Sequence, residues 1–144
     1  MKKILIINSN YYKNISNDLL KNSLKKLSSE NFHISVVEVP GIFEIPISIR
    51  RNIKKFDGFI ALGCVIKGDT PHFDLICDST FNAILKISIM FNKPIGNGII
   101  TALNINQALS RSKILNKKKA NKGSEAAKAV ISLSLIHISE PTRR

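Results

Sequence analysis

FIALGCVIKGDTPHFD, residues 59–74, is an apolar run that ends abruptly in a polar turn. We interpret residues 59–66 as a buried strand, and open α/β sheets bind their ligands where such strands end. The turn combines the parts of an anion site with a group that can transfer protons, namely Lys67, Gly68, Asp69, Thr70 and His72. The alternative is an ordinary strand-to-helix loop, in which Thr70 is the helix N-cap, Pro71 is the first helical residue and His72 lies on the surface.

On both sides of this stretch, apolar strand-like runs alternate with segments of helical periodicity. The predicted strands are residues 4–7, 34–39, 59–66 and 95–103, and the predicted helices are residues 17–27, 42–53 (interrupted near Pro46), 74–91, 105–114 and 125–133. In the third helix, the residues expected to face inward are Leu75, Ile76, Ala83, Ile84, Ile87 and Met90. The alternation predicts one α/β domain, a flavodoxin-like three-layer sandwich around a four-stranded parallel sheet.

Length and composition suit one globular domain, since the chain has 144 residues of which 44% are hydrophobic. Its longest apolar runs are far shorter than the roughly 20 residues that a membrane span needs, so we expect no membrane association. The first residues do not form a secretory signal. Cys64 and Cys77 are too few for a disulfide framework and are not spaced for zinc. We therefore expect two buried thiols, no metal, and a reducing, cytoplasmic location.

The net charge of +12 raises the question of a nucleic-acid surface. Apart from residues 117–119, however, the basic residues are scattered, and no aromatic residues are interleaved with them. The abundance of lysine, asparagine and isoleucine is typical of an AT-rich coding sequence. We therefore expect no nucleic-acid partner.

The end of the chain departs from the pattern. Residues 134–144, SLIHISEPTRR, break the helical periodicity and stop at Pro141. They resemble translated adapter sequence more than a natural terminus. We therefore expect residues 1–133 to form the domain and residues 134–144 to be a non-native tail, and we assign no function to His137.

Four separated motifs occur in the order and at the spacing of one family. They are VPGIFEIP at residues 39–46, ALGCVIKGDTPHFD at 61–74, GIITALNINQALSR at 98–111 and NKGSEAA at 121–127. Over roughly residues 3–133 the chain resembles the 6,7-dimethyl-8-ribityllumazine synthases. The resemblance implies a transferase of riboflavin biosynthesis that needs no cofactor. It would condense 5-amino-6-(D-ribitylamino)uracil with 3,4-dihydroxy-2-butanone 4-phosphate, releasing phosphate and water.

The resemblance assigns the pyrimidine and its ribityl chain to the ends of the second and third strands. Ile42, Phe43 and Glu44 match the segment that holds the ribityl chain, whereas Phe43 alone would also suit core packing. Val65 and Ile66 match positions whose backbone faces the pyrimidine. Their side chains alone indicate core residues.

Tyr11 matches an aromatic position after the first strand, where a ring stacks on the heterocycle. Taken alone, it is a surface tyrosine at a helix entry. Here the chain departs from the family, which usually has Arg-Phe-Asn where this chain has Asn10, Tyr11 and Tyr12. A second departure is Asn97, which occupies a position that is usually phenylalanine and makes that wall of the neighbouring site more polar.

The resemblance assigns phosphate binding and proton transfer to the turn at residues 67–72 and to two basic residues further along the chain. Asp69 and Thr70 match positions whose backbone N–H groups bind phosphate, and Arg111 matches a phosphate-binding guanidinium. Arg111 alone would be a favourable residue at a helix C-terminus. His72 matches the catalytic imidazole, a side chain that can accept and donate protons. Lys122 matches a lysine near the active site, although a solvated charge is the alternative.

The family's site residues meet across a subunit boundary, so the resemblance implies a homo-oligomer, at least a pentamer. The segment between Arg111 and Asn121 is a few residues longer than usual and carries Lys117–Lys119. We therefore expect a free pentamer rather than the larger icosahedral shell. Residues 1–3 are expected to add a strand to a neighbouring subunit's sheet. The departures from the family leave one alternative open, a catalytically impaired shell or scaffold protein of the same fold.

Overall fold

A computed structural model describes residues 1–112 and 121–139 of the chain. Within these residues the strands are β1 (Lys2–Ser9), β2 (Phe32–Val39), β3 (Gly58–Ile66) and β4 (Ile95–Ala102). The α-helices are α1 (Lys13–Leu27), α2 (Ile45–Arg51), α3 (Phe73–Phe91), α4 (Ile105–Ser112) and α5 (Lys122–Ser139). Two short 3-10 turns, Ile42–Glu44 and Lys67–Asp69, follow β2 and β3.

The four strands form one parallel sheet in the order β2-β1-β3-β4. All nine residues of β3 are buried, as expected for an inner parallel strand covered by helices on both faces. The predicted flavodoxin-like α/β sandwich with a four-stranded parallel sheet is therefore confirmed.

Alternate residues of each strand enter two separate cores. Ile4 and Ile6 of β1 pack in the core beneath α1 and α5, whereas Leu5 and Ile7 pack in the core beneath α2 and α3. Both cysteines are buried, as predicted, with Cys64 in the first core and Cys77 in the second.

Glycines let α5 approach the sheet and α1 more closely than a side chain would allow. A Cβ on Gly96 of β4 would lie 2.1 Å from the carbonyl oxygen of Ala126, and one on Gly123 would lie 2.4 Å from that of Leu19. Gly98 likewise faces the backbone of Lys122. These close approaches fix the start of α5, and with it Lys122, against β4.

Four local expectations were wrong. Leu75 and Met90 of α3 are 68% and 72% exposed instead of facing inward, because α3 carries apolar residues on more than the side that meets the sheet. Residues 2 and 3 pair with β2 inside their own sheet. Pro46 occupies the first turn of α2 and does not interrupt it, a position that tolerates its missing N–H. The helix α5 continues through Ser139, since no proline or glycine occurs between Ser124 and Pro141.

Two further expectations fall on parts of the chain outside the described residues. They are the end of the predicted helix at residues 113–114 and the lysines at residues 117–119. Among the described helices, none is both long and apolar enough to cross a membrane.

Candidate active site

The carboxyl edge of the sheet gathers the segments that the motifs singled out. The strands end at Ser9, Val39, Ile66 and Ala102, and each is followed by a segment that carries predicted site residues. In parallel α/β sheets this edge is where ligands bind.

Tyr11 follows β1 and leaves most of its ring uncovered, with 69% of the residue exposed. Its ring meets the ring of Tyr12 edge to face, with centroids 4.9 Å apart. An exposed aromatic face at this edge can stack on a flat heterocycle. The same exposure also fits the alternative, in which Tyr11 is a surface tyrosine.

The segment after β2 divides its side chains between the core and the surface. Ile42 is buried in the core beneath α2 and α3, whereas Phe43 is 64% exposed, so core packing is the wrong interpretation for Phe43. Glu44 is partly buried beside it. Phe43 and Glu44 border a cavity of about 350 Å³ that is completed by α2 and α3, with Pro46, Ile47, Ser79, Thr80 and Ala83 as its other lining residues.

Val65 and Ile66 are buried side chains at the end of β3. Val65 packs beneath α2 and α3, and Ile66 packs beneath α1 and α5. Their side chains therefore belong to the two cores, as the residue types alone indicate. Contact with a substrate at these positions is left to the backbone.

The turn after β3 brings Asp69, Thr70 and His72 to the same edge. The helix α3 starts at Phe73 with His72 as its N-cap, and the His72 carbonyl accepts the N–H of Ile76 at 2.9 Å. The alternative with Thr70 as the helix N-cap does not hold, because α3 begins two residues later than that alternative requires. His72 is exposed and its imidazole makes no capping hydrogen bond. It is placed where it can exchange protons with a bound molecule.

Arg111 and Lys122 border a second cavity, of about 290 Å³, along the free edge of β4. Its remaining lining residues come from β4, α3 and α5, and they are Phe81, Ile99, Ile100, Thr101 and Glu125. Arg111 Nη1 donates to the Thr101 carbonyl of β4 at 2.7 Å, so this contact is not with the carbonyls of its own helix. Lys122 Nζ lies 3.9 Å from Glu125 Oε1. This cavity is the more polar of the two and carries two cations.

Asn97 does not join either group at the carboxyl edge. It lies in the first half of β4, opposite Ala61 of β3. Its Oδ1 accepts the backbone N–H of Ile99 at 3.0 Å. The side chain thus satisfies a donor of its own edge strand.

Sequence reasoning missed Tyr12 and Cys64, which lie beneath the turn. The Tyr12 hydroxyl donates to Asp69 Oδ2 at 2.6 Å. Burial raises the pKa of Cys64 to about 12, with the nearby Arg111 guanidinium lowering it and the Asp69 carboxylate raising it. Burial and the Asp69 hydrogen bond also raise the pKa of Tyr12 well above its ordinary value. Both groups therefore stay neutral at physiological pH, and neither serves as an anionic nucleophile.

Within the part of the chain that the structure describes, no three histidine, cysteine, aspartate or glutamate side chains lie close enough to hold a metal ion. The arrangement instead offers an aromatic face, an imidazole, a turn with backbone donors and a guanidinium. These are groups that bind a flat ring and an anion and that move protons.

Comparison with known proteins identifies a family for the chain. The family model described as 6,7-dimethyl-8-ribityllumazine synthase matches residues 1–137. A protein of that name from Bartonella tribocorum is 36% identical over 133 residues, which cover 90% of this chain and 88% of the relative. Another, from Methylobacterium radiotolerans, is 35% identical over 133 residues, covering 91% and 81%. A third, from Nitrobacter hamburgensis, is 35% identical over 138 residues, covering 91% and 83%.

Proposed function

The chain belongs to the 6,7-dimethyl-8-ribityllumazine synthase family and is a transferase of riboflavin biosynthesis, and we propose that its active site is shared between two neighbouring copies. The observation that carries this proposal is the separation of the two cavities. One is lined by Phe43 and Glu44, the other by Arg111 and Lys122, and they have no lining residue in common. Both cavities border α3, so a second copy docked along α3 would place its Arg111 cavity against the Phe43 cavity of the first copy.

The exposed apolar residues of α3 support such a neighbour. Leu75, Leu85, Ile89 and Met90 are each more than half exposed, as is Ile47 of the adjacent α2. An apolar surface of this extent marks an interface more often than a solvated face. Two different surfaces meeting head to tail form a ring when the rotation between copies closes, and we propose the pentamer that the family resemblance implies.

In the proposed site, each copy supplies one part of the chemistry. Tyr11 stacks on the pyrimidine, and the Ile42–Glu44 segment with the strand-end backbone of Val65 and Ile66 holds the ring and its ribityl chain. The backbone N–H groups of Asp69 and Thr70, with the Thr70 hydroxyl, bind the phosphate.

The neighbouring copy supplies the cations and the opposite wall. Its Arg111 binds the phosphate and its Lys122 adds positive charge beside it. Asn97 lies in the first half of β4 and outside the cavity lined by Arg111, so its proposed part is a polar stretch of the wall beyond that cavity, where the family usually has an aromatic ring. A guanidinium can bind phosphate through two parallel hydrogen bonds.

The reaction needs proton transfers at several steps. The amine of the pyrimidine attacks the ketone, water leaves to give an imine, and phosphate is eliminated. The ribityl-bearing nitrogen then attacks the remaining carbonyl, and the ring closes with loss of a second water. We propose His72 as the group that moves these protons, since it is exposed at the start of α3 and has no capping partner. Holding the two substrates together supplies much of the remaining acceleration.

Retention of His72, Arg111 and the turn before α3 favours an active enzyme over a scaffold of the same fold. We propose a free pentamer in the cytoplasm. The two buried, unpaired cysteines support a reducing compartment. The longer segment before α5, on which the choice against a larger shell rests, lies outside the described residues. The non-native origin of residues 134–144 stays a prediction.

Mixing both substrates with purified protein tests the activity, because the product brings a new lumazine absorbance band. Light scattering on protein with a native tail tests the assembly. We expect product formation and the mass of five chains. No absorbance change would contradict the enzyme, and the mass of an icosahedral shell would contradict the free pentamer.

A further inference from the structure

The contact between Tyr12 and Asp69 joins the start of α1 to the turn after β3. The hydroxyl oxygen lies 2.6 Å from Asp69 Oδ2, within the roughly 2.5–2.7 Å range of a hydroxyl that donates to an ionised carboxylate. The Tyr12 ring packs against the core beneath α1 and α5. The position of the donor is therefore fixed by packing.

Asp69 carries a negative charge in the turn proposed to bind phosphate. If the Asp69 carboxylate faced the phosphate, the two negative charges would repel each other. If it reached a guanidinium, it would compete with the phosphate for that cation. In the proposed site, the guanidinium beside this turn is that of the neighbouring copy's Arg111. An arrangement that keeps the Asp69 carboxylate away from both the phosphate and that guanidinium therefore favours phosphate binding.

Within the described residues of one chain, the ion pair is Lys122 with Glu125, so Arg111 is not paired with an acidic side chain of its own chain. Asp69 Oδ2 instead accepts the Tyr12 hydroxyl. Arg111 Nη1 donates to the Thr101 carbonyl. A guanidinium has five N–H donors, so donors remain for a phosphate.

We propose that Tyr12 is a positioning residue of the phosphate subsite. Its hydroxyl holds the Asp69 carboxylate against the start of α1, so that the carboxylate neither faces the phosphate nor pairs with the neighbouring copy's Arg111. This inference rests on the proposed function of the turn and of Arg111. It gives a role to Tyr12, a position where the segment after β1 departs from the usual family sequence.

Tyr12→Phe tests the proposal, since it keeps the packed ring and removes only the donor. We expect the KM for 3,4-dihydroxy-2-butanone 4-phosphate to rise about three- to tenfold, the range of one hydrogen bond's net contribution. The kcat and the KM for the pyrimidine should change by less than about twofold, because Tyr12 acts only through Asp69. Equal effects on both substrates would overturn the proposal.

A double-mutant cycle separates positioning from a general structural effect. In an Asp69→Asn background there is no carboxylate to hold, so adding Tyr12→Phe should change that KM by less than about twofold. The full effect of Tyr12→Phe in this background would overturn the proposal. Ser28→Ala is the matched control, because it removes a hydroxyl that donates to the Lys25 carbonyl at the other end of α1 and should leave both KM values unchanged.

Titration with inorganic phosphate by calorimetry gives a readout that needs no turnover. We expect Tyr12→Phe to weaken phosphate binding by the same factor of about three to ten. If the parent protein makes no lumazine but shows this weakening, the proposed function fails and the role of Tyr12 stands. If the parent protein makes lumazine and Tyr12→Phe leaves phosphate binding unchanged, the proposed function stands and the role of Tyr12 fails. A parent protein that binds no phosphate also overturns the role of Tyr12.

Should Tyr12→Phe fail to fold, Asp69→Asn alone keeps the proposal testable. Without the negative charge, the KM for the butanone phosphate should equal or fall below that of the parent protein. A rise in that KM would overturn the proposal.

Discussion

His72 occupies the last residue before α3, exposed and with no capping hydrogen bond. Because we assign it proton transfer and not binding, His72→Ala should lower kcat about 10²–10⁴-fold and leave both KM values nearly unchanged. A substantial residual rate should remain, since holding the substrates together does not need the imidazole. Steady-state kinetics over the range of about pH 6 to 8 provide the check. The same flat kcat profile in the parent and the variant would contradict a role in proton transfer.

Arg111 should matter for one substrate more than for the other. Arg111→Ala removes a charge-assisted contact to phosphate, worth about 1.5–3 kcal/mol, so the KM for the butanone phosphate should rise roughly 10- to 150-fold. The KM for the pyrimidine should change far less. Arg51→Ala, at an exposed arginine in the last turn of α2, is the matched control and should change neither value. Equal rises for both substrates would reassign Arg111 to a structural role.

Cys64 should make the folded state less stable in alkali. Burial raises the pKa of Cys64 to about 12, so the folded protein keeps a proton that the unfolded chain loses at a lower pH. The free energy of unfolding should therefore fall as the pH rises from about 9 towards 12. The raised pKa values of Cys77 and Tyr12 act in the same direction.

Cys64→Ala should make this fall less steep, as measured by urea unfolding at several pH values. Part of the fall should remain, because Cys77 and Tyr12 are unchanged in the variant. Cys77→Ala is the comparison at the other buried thiol. An identical slope in Cys64→Ala and the parent protein would contradict the assignment.

Motif matches predicted His72 and Arg111 because those residues lie within short, recognisable stretches. The Tyr12–Asp69 contact could not be predicted in this way, since it joins residues 57 positions apart and departs from the family sequence. The alternative with Thr70 as N-cap followed from residue type alone. The helix α3 instead begins at Phe73, with His72 as its N-cap.

Among the elements, α5 depends on a glycine in β4 for its position. A Cβ at Gly96 would lie 2.1 Å from the Ala126 carbonyl oxygen, so Gly96→Ala must displace backbone and not a flexible side chain. We expect a loss of about 1–3 kcal/mol in the free energy of unfolding, as for other overpacked sites. Urea unfolding measures it.

Gly68→Ala is the control for this measurement. Nothing lies within 4 Å of a Cβ at Gly68. The free energy of unfolding of the Gly68→Ala variant should therefore differ from that of the parent protein by less than about 0.5 kcal/mol. Equal losses at Gly96 and Gly68 would contradict the close packing of α5 on β4.

The strands could be predicted because each is an apolar run between turns. The inward face of α3 was misassigned because apolar residues occur on both sides of the helix. At about 100° per residue, the exposed Leu75 lies opposite the buried Ile84. Periodicity identifies an apolar face but does not distinguish a face that meets the core from one that meets another subunit. The end of α5 was misplaced because a loss of apolar periodicity does not stop a helix that lacks proline and glycine.

For the assembly as a whole, the apolar surface of α3 should hold the copies together. Ile89 is 72% exposed in the isolated chain, and burying a glutamate there would cost several kcal/mol per ion. Ile89→Glu should therefore give particles smaller than a pentamer by light scattering, with loss of activity. Leu133→Glu, on α5 across the sheet, is the control for an added carboxylate. An active pentamer formed by Ile89→Glu would contradict α3 as the interface.

A mixture of two impaired variants shows whether the active site is shared between copies. His72→Ala and Arg111→Ala chains, unfolded together in equal amounts and refolded, should form rings in which about a quarter of the sites combine an intact His72 with a neighbour's intact Arg111. We predict that kcat/KM for the butanone phosphate recovers to about a quarter of the parent value. If the mixture shows only the average of the two separately refolded variants, each site lies within one chain and the shared site is contradicted.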